Sequence, residues 1–250
     1  MLMNWKYITI IILFYSLNRP TGQAQNHSLD LSNQLIYSIY QHKNCASLLN
    51  ELANKSKADL GRDLFNDSMK KSFWINIYNS TVQLSAPDSI ERNHNKKYFK
   101  AKRVTIANQK LSLNDIEHGM LRHSKRARGK KKNKNKWFLS DFEKQFRVEK
   151  PDWRVFFTLN TGVNTDPYIG FFNPLDYNQQ LKITSLYYLR SLINDGILVL
   201  PYRFTWYYHD AQGFEAVQLY GKNLKLDIHK INISQDKPAP IKLNYFIGAK

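Results

Sequence analysis

Residues 153–167 read WRVFFTLNTGVNTDP, and the reading of this stretch governs the reading of the rest. Val155, Phe156, Phe157, Thr158 and Leu159 form an aromatic and β-branched run that stops at Asn160-Thr161-Gly162. A short apolar run bounded by turn residues predicts a buried strand delivering a polar loop. Loops held by a packed scaffold are where binding and catalytic groups tend to sit. Asn160, Thr161 and Asp166 are the polar side chains that this loop would present.

Outward from that stretch the pattern is mixed. Residues 29–57 carry apolar positions at near-helical spacing and predict one or two amphipathic helices; 69–84 (MKKSFWINIYNSTVQL) predicts another. Asn76 and Asn79 stand three apart on that second, largely apolar surface. Buried asparagines need partners, so the pair either ties a neighbouring loop to the helix or orients a ligand. Residues 98–106 (YFKAKRVTI) predict a strand, and 107–109 a turn. Ser112 or Asn114 then caps a helix with Asp115 and Glu117 in its first turn, where negative charge suits the dipole. On it His118 and Arg122, four apart, share a face. Residues 175–193 predict a helix, Asn194-Asp195-Gly196 a turn and 197–200 a strand. Leu224, Leu226 and Ile228, then Ile231 and Ile233, alternate as strands do. The fold class expected is α+β, a single mixed domain with helices packed around a modest sheet.

The ends and the charge set the surroundings. Residues 7–17 (YITIIILFYSL) are almost wholly apolar, and polar NRPTGQAQN follows. That is the layout of a secretory signal peptide over residues 1–25, cleaved near Ala24 or Gln25, with an uncleaved N-terminal membrane anchor as the alternative. The domain then runs from 26 to 250 and the protein is expected to be exported. Cys45 is the one cysteine of the chain, so no intramolecular disulfide forms; beside Ala46 and Leu49 it reads as a small buried hydrophobe. Formal net charge is +17, and KRARGKKKNKNK at 125–136 supplies eight of the 37 basic residues without an acid. Such a block repels itself, which predicts a disordered basic loop over 123–136. It would draw a polyanion or an anionic membrane surface. Nucleic acid is the disfavoured partner, since an exported protein meets little of it and no aromatics interleave the block.

Four segments resemble, in order, the domain-of-unknown-function family 547: FWINIYNS (73–80), LSLNDIEHGMLR (111–122), DWRVFFTLNTG with DP close behind (152–167), and LVLPYRFTWYYHD (198–210). The resemblance covers roughly residues 66–213. It implies a central loop carrying LNCG followed by SCP; here Thr161 and Asp166 stand at the corresponding positions. A thiol chemistry in the family would therefore be closed to this chain, because a threonine hydroxyl needs a dedicated base.

Two functions are consistent with these readings. One is an exported binding or interaction module that kept the fold without the loop cysteines. Asn76, Asn79, Arg122, Arg154 and Asn160 would line its cleft with His118, for an unknown small molecule or anionic ligand. The other is a hydrolase or transferase, with His118 as general base, Glu117 as its orienting acid and Thr161 as nucleophile. Backbone N–H groups around Gly162 would then form the oxyanion pocket. No metal is expected, since adjacent Glu117 and His118 point about 100° apart on a helix, and no cofactor.

Overall fold

In a computed structural model, residues 26–85, 96–125, 140–161, 166–167 and 169–234 are described. The leader, most of the basic run and Gly162 lie outside them. No helix among the described residues is long and apolar enough to cross a membrane.

The chain opens with helices α1 (His27–Tyr40), α2 (Ala46–Asn54), α3 (Lys57–Asp63) and α4 (Asp67–Leu84). Their starts are written locally: Asn26, Ser56 and Asn66 each accept a hydrogen bond from a first-turn backbone N–H. Cys45 precedes α2 and is buried. Helix α4 is the axis of the molecule, for every residue from Ser72 to Gln83 is buried. Such a helix is enclosed all round rather than amphipathic. Its polar members therefore need partners from other elements, and that need fastens later segments of the chain to it.

A short helix α5 (Lys96–Lys100) leads into β1 (Lys102–Ile106), which pairs antiparallel with β2 (Gln109–Ser112). The strand expected over 98–106 thus begins late: Tyr98 and Phe99 end a helix and pack edge to face, 5.2 Å between ring centres. Between the strands Ala107 and Asn108 both take positive φ, 47° and 61°. That conformation matches the twist of a two-residue hairpin. The hairpin tip is anchored, since Ala107 N and Asn108 N donate to Leu52 O and Ala53 O at the end of α2.

After β2 comes a π-helix, Asp115–Leu121, followed by α6 (Asp141–Phe146). The WRVFFT segment is also helical. It forms a 3-10 helix, Trp153–Thr158, where a strand was expected. The period of a short apolar run is undetermined when the run is buried on all sides. Here Asp152 decides it by accepting from Arg154 N, and Thr158 Oγ1 closes the turn on Val155 O at 2.7 Å.

That 3-10 helix joins two cores. Val155 and Leu159 belong to the core built on α1–α4, the hairpin and the π-helix. Phe156 and Phe157 belong to a second, aromatic core with Tyr188, Phe204 and Tyr207. The second core is covered by α7 (Tyr177–Ser191), β3 (Ile193–Asn194), β4 (Ile197–Leu200), a 3-10 turn (Tyr202–Trp206), α8 (Phe214–Asn223) and β5 (Lys230–Ile233). Strand order is β3-β4-β5, with β3-β4 antiparallel through Asp195-Gly196 and β4-β5 parallel across α8. The α+β class stands as two small sheets under a helical majority. Of the two alternating sets read as strands, the one at Ile231 and Ile233 forms β5. Leu224, Leu226 and Ile228 are buried in alternation, but Lys225 has φ of 59°, which no strand tolerates.

Candidate functional site

Asp115–Leu121 begins as a capped helix and widens. Ser112 Oγ accepts from Asp115 N, while Asp115 Oδ2 accepts from Ser112 N and Oγ. The turn then closes five residues apart, with Arg122 N on Glu117 O at 3.1 Å and Ser124 N on Gly119 O at 2.9 Å. Single π turns recur at functional sites because they swing side chains out of α-helical register. Here the wide turn buries Glu117 and His118 side by side and points them at different neighbours.

Glu117 looks into the aromatic core. Its Oε1 accepts from the Tyr207 hydroxyl at 2.9 Å and from Arg203 Nη2 at 3.1 Å, and its Oε2 from the Tyr78 hydroxyl at 3.4 Å. Burial pushes this carboxyl up, but Arg203 foremost, with Arg122 and the Tyr207 hydroxyl, outweighs it and holds the pKa at about 2. Glu117 is a fixed anion whose hydrogen bonds go to these partners and not to the imidazole of His118.

His118 is held by the residue one turn on. Arg122 Nη1 lies 3.0 Å from His118 Nδ1. Burial lowers the pKa of His118 to about 4, with Arg122 adding to the effect and Glu117 opposing it. The ring is neutral at pH 7, and an arginine can only donate. Nδ1 is therefore the acceptor and Nε2 carries the hydrogen. That Nε2 is buried and has no partner among the described residues. The ring rests edge-on to Trp206, 5.6 Å between centres.

Arg122 is itself clamped. Its Nε donates to Asp210 Oδ2 at 2.9 Å, its Nη2 to Trp206 O at 2.5 Å, and its guanidinium lies over the Tyr207 ring. Lys125 closes the other oxygen of Asp210 at 2.6 Å. A second arm reaches Thr161. Both its N and its Oγ1 donate to Asp166 Oδ2 at 2.5 Å, and Asp166 Oδ1 faces Arg203 Nη1 at 3.7 Å. Arg203 thus bridges Glu117 and Asp166, and one network joins Thr161 to the π-helix.

The remaining expected residues divide. Asn79 Nδ2 donates to Thr158 O, and Asn79 Oδ1 accepts from Asn160 N, at 2.9 and 3.0 Å. Asn76 does the same for Phe172, donating to its O and accepting from its N. Asn160 Nδ2 donates to Pro167 O at 2.9 Å. These three amides hold the backbone around the network, and Asn76 and Asn79 thereby tie neighbouring segments to their helix. Arg154 stands elsewhere. Asp152 grips it in a fork, and it lines an open groove of about 610 Å³ with Lys182, Asn178 and Tyr220. His118 and Thr161, the base and nucleophile expected from the sequence, share no hydrogen bond; the Thr161 hydroxyl donates to Asp166 instead.

Arg203, Tyr207, Asp210 and Tyr78 were missed. The first three lie in LPYRFTWYYHD, a segment noted for its resemblance, yet nothing local marks Arg203 or Asp210 as partners of residues 86 and 88 positions away. Among the described residues no three His, Cys, Asp or Glu side chains come together as a metal-ligand set.

A family model described as "Protein of unknown function, DUF547" matches residues 63–189. It covers α4, the hairpin, the π-helix, the 3-10 helix and most of α7. No curated protein and no solved structure matches the chain.

Proposed function

The chain belongs to the DUF547 family, and we propose that it is an exported binding module whose site recognises a small molecule through a hydrogen-bond acceptor. The observation that carries this reading is the Arg122–His118 contact at 3.0 Å. With Nδ1 covered by an obligate donor, the other imidazole nitrogen is an N–H and not a base. A neutral buried donor suits recognition, while general-base work needs a free lone pair. The apolar leader at 7–17 supports export, and the basic run at 125–136 supplies a separate attraction for a polyanion or an anionic membrane surface.

The test is the tautomer and titration of His118, read from its imidazole ¹⁵N shifts. The binding reading expects Nε2–H and a neutral ring down to about pH 5. An Nδ1–H ring that titrates near the ordinary histidine value would instead restore it as a base and overturn the reading.

One observation favours a hydrolase or transferase as the second reading. Thr161 Oγ1 donates to Asp166 Oδ2 at 2.5 Å, so a hydroxyl and a carboxylate stand together where the family resemblance places two cysteines. Asp166 would take the hydroxyl proton as Thr161 oxygen attacks an acyl carbon, and return it to the leaving group. Thr161→Ser would then retain turnover of an ester panel and Thr161→Ala abolish it. Equal rates in both variants remove this reading.

A further inference from the structure

The open groove of about 610 Å³ that Arg154 lines runs between α7 and α8, and no residue of the Glu117–Arg203 network lines it. Its volume is that of a small-ligand cleft. Arg154 is fixed in its wall. Asp152 holds Nε and Nη2 at 2.9 and 2.7 Å, and Asn178 Oδ1 accepts from Nη2 at 3.4 Å. The guanidinium carbon lies 5.7 Å from the centre of the Tyr220 ring. The third nitrogen, Nη1, has no bond among the described residues, and the side chain stays 29 % exposed.

Helix α7 supplies the other polar groups. Asn178, Gln179 and Lys182 stand at spacings of three and four, which puts them on one face, and Asn223 joins them from the end of α8. Lys182 is exposed and has neither an ion pair nor a hydrogen bond among the described residues; the same holds for the amides of Gln179 and Asn223. Asp176, the carboxylate of the groove wall, does have a partner. It precedes α7 and stands about 9 Å along the helix axis from Lys182.

A cation without a counter-ion suits an anionic group, and in an open groove that group keeps part of its hydration and escapes the cost of burial. The three side-chain amides can each donate and accept, which matches the N–H and C=O groups that a peptide presents at every residue. A sugar acid would match them too, but sugars pack on an open aromatic face. The Tyr220 ring is already engaged, parallel to Phe157 at 6.3 Å and edge-on to Trp153 at 5.6 Å. Leu175, 73 % exposed, gives the groove an apolar edge. We propose that this groove binds the carboxyl end of a short peptide, its carboxylate on Lys182 and the free Arg154 Nη1, its backbone on Asn178, Gln179 and Asn223, and an apolar last side chain on Leu175. The site is separate from His118 and does not depend on the reading given for that residue.

The experiment follows the side-chain amide resonances of Gln179 and Asn223 in the full chain while N-acetylalanylleucine, its carboxamide, acetate and D-glucuronate are titrated separately. The peptide acid is expected to move both signals and saturate in the millimolar range, as suits so small a ligand. Its carboxamide should bind roughly two- to fivefold more weakly, the worth of a partly exposed ion pair. Lys182→Glu, an exposed change that leaves the fold intact, should weaken the acid roughly tenfold and the carboxamide by no more than about twofold. Equal binding of acid and carboxamide overturns the carboxylate anchor. Acetate binding as tightly as the peptide, or glucuronate more tightly, overturns the peptide class. No shift at Gln179 and Asn223 with any probe removes the site, and so does a peptide that shifts His118 alone. None of these outcomes touches the tautomer of His118, so the reading of that site stands or falls separately.

Discussion

Arg122 donates to His118 Nδ1 across 3.0 Å while its Nε is paired with Asp210 at 2.9 Å. One guanidinium thereby sets the tautomer of a buried histidine and balances a buried carboxylate. The two roles predict a large effect from one side chain. Arg122→Met keeps the apolar stem but leaves Asp210 facing only half-exposed Lys125, and leaves Nδ1 without its donor. Breaking a buried ion pair from one side costs about 3–5 kcal/mol. Urea denaturation should show a loss of that order, and a change below about 1 kcal/mol would mean that the pair is not buried in solution.

Acid should destabilise the chain in two overlapping steps. His118 has a folded pKa of about 4 against an ordinary 6.5. Between those values the unfolded chain binds the proton first, so stability falls as pH drops from about 6.5 towards 4. Glu117, held at about 2 against an ordinary 4.5, contributes stability that is present above 4.5 and lost as pH falls towards 2. His118→Gln should flatten the upper step and Glu117→Gln the lower. Denaturant midpoints measured across pH 3–7 would show it, and a wild-type profile flat from pH 7 to 4.5 would contradict the His118 assignment.

Asn79 ties Thr158 O and Asn160 N to helix α4 with one amide. Asn79→Ala strands both of these buried backbone groups and should cost roughly 2–4 kcal/mol. Amide exchange at Asn160 should accelerate more than exchange in α2. Uniform acceleration through the whole chain would instead indicate that the tie is no more local than the fold.

Gly196 sits in the turn between β3 and β4 with φ of 73°, and a Cβ there would meet the His229 ring. Gly196→Ala should cost about 1–2 kcal/mol through left-handed strain together with that contact. Removing the ring separates the two contributions: in a His229→Ala background part of the loss should return. Full recovery would show that the backbone at Gly196 is not strained.

What the resemblance segments share is where they meet. FWINIYNS brings Tyr78 and Asn79, LSLNDIEHGMLR brings Glu117, His118 and Arg122, and LPYRFTWYYHD brings Arg203, Trp206, Tyr207 and Asp210. Each looked like an ordinary packed element with a few polar residues. In the fold they supply opposite sides of one charge network, which is why no segment alone announced the site.

Local chemistry settled a good deal without the fold. Side-chain caps at Asn26, Ser56 and Asn66 start helices whose apolar spacing was already visible, and Asp195-Gly196 made a turn because those residues accept positive φ. The four-residue spacing of His118 and Arg122 likewise foretold their contact. Tertiary structure decided the rest, for a physical reason in each case. A run such as VFFTL is apolar in every direction, so only its position between two cores, with Asp152 at its start, selects a 3-10 helix over a strand. Buried charges need partners of opposite sign wherever the chain can bring them. Glu117 found Arg203, and Arg122 found Asp210, at sequence separations of 86 and 88, and the chain between carries no record of the pairing.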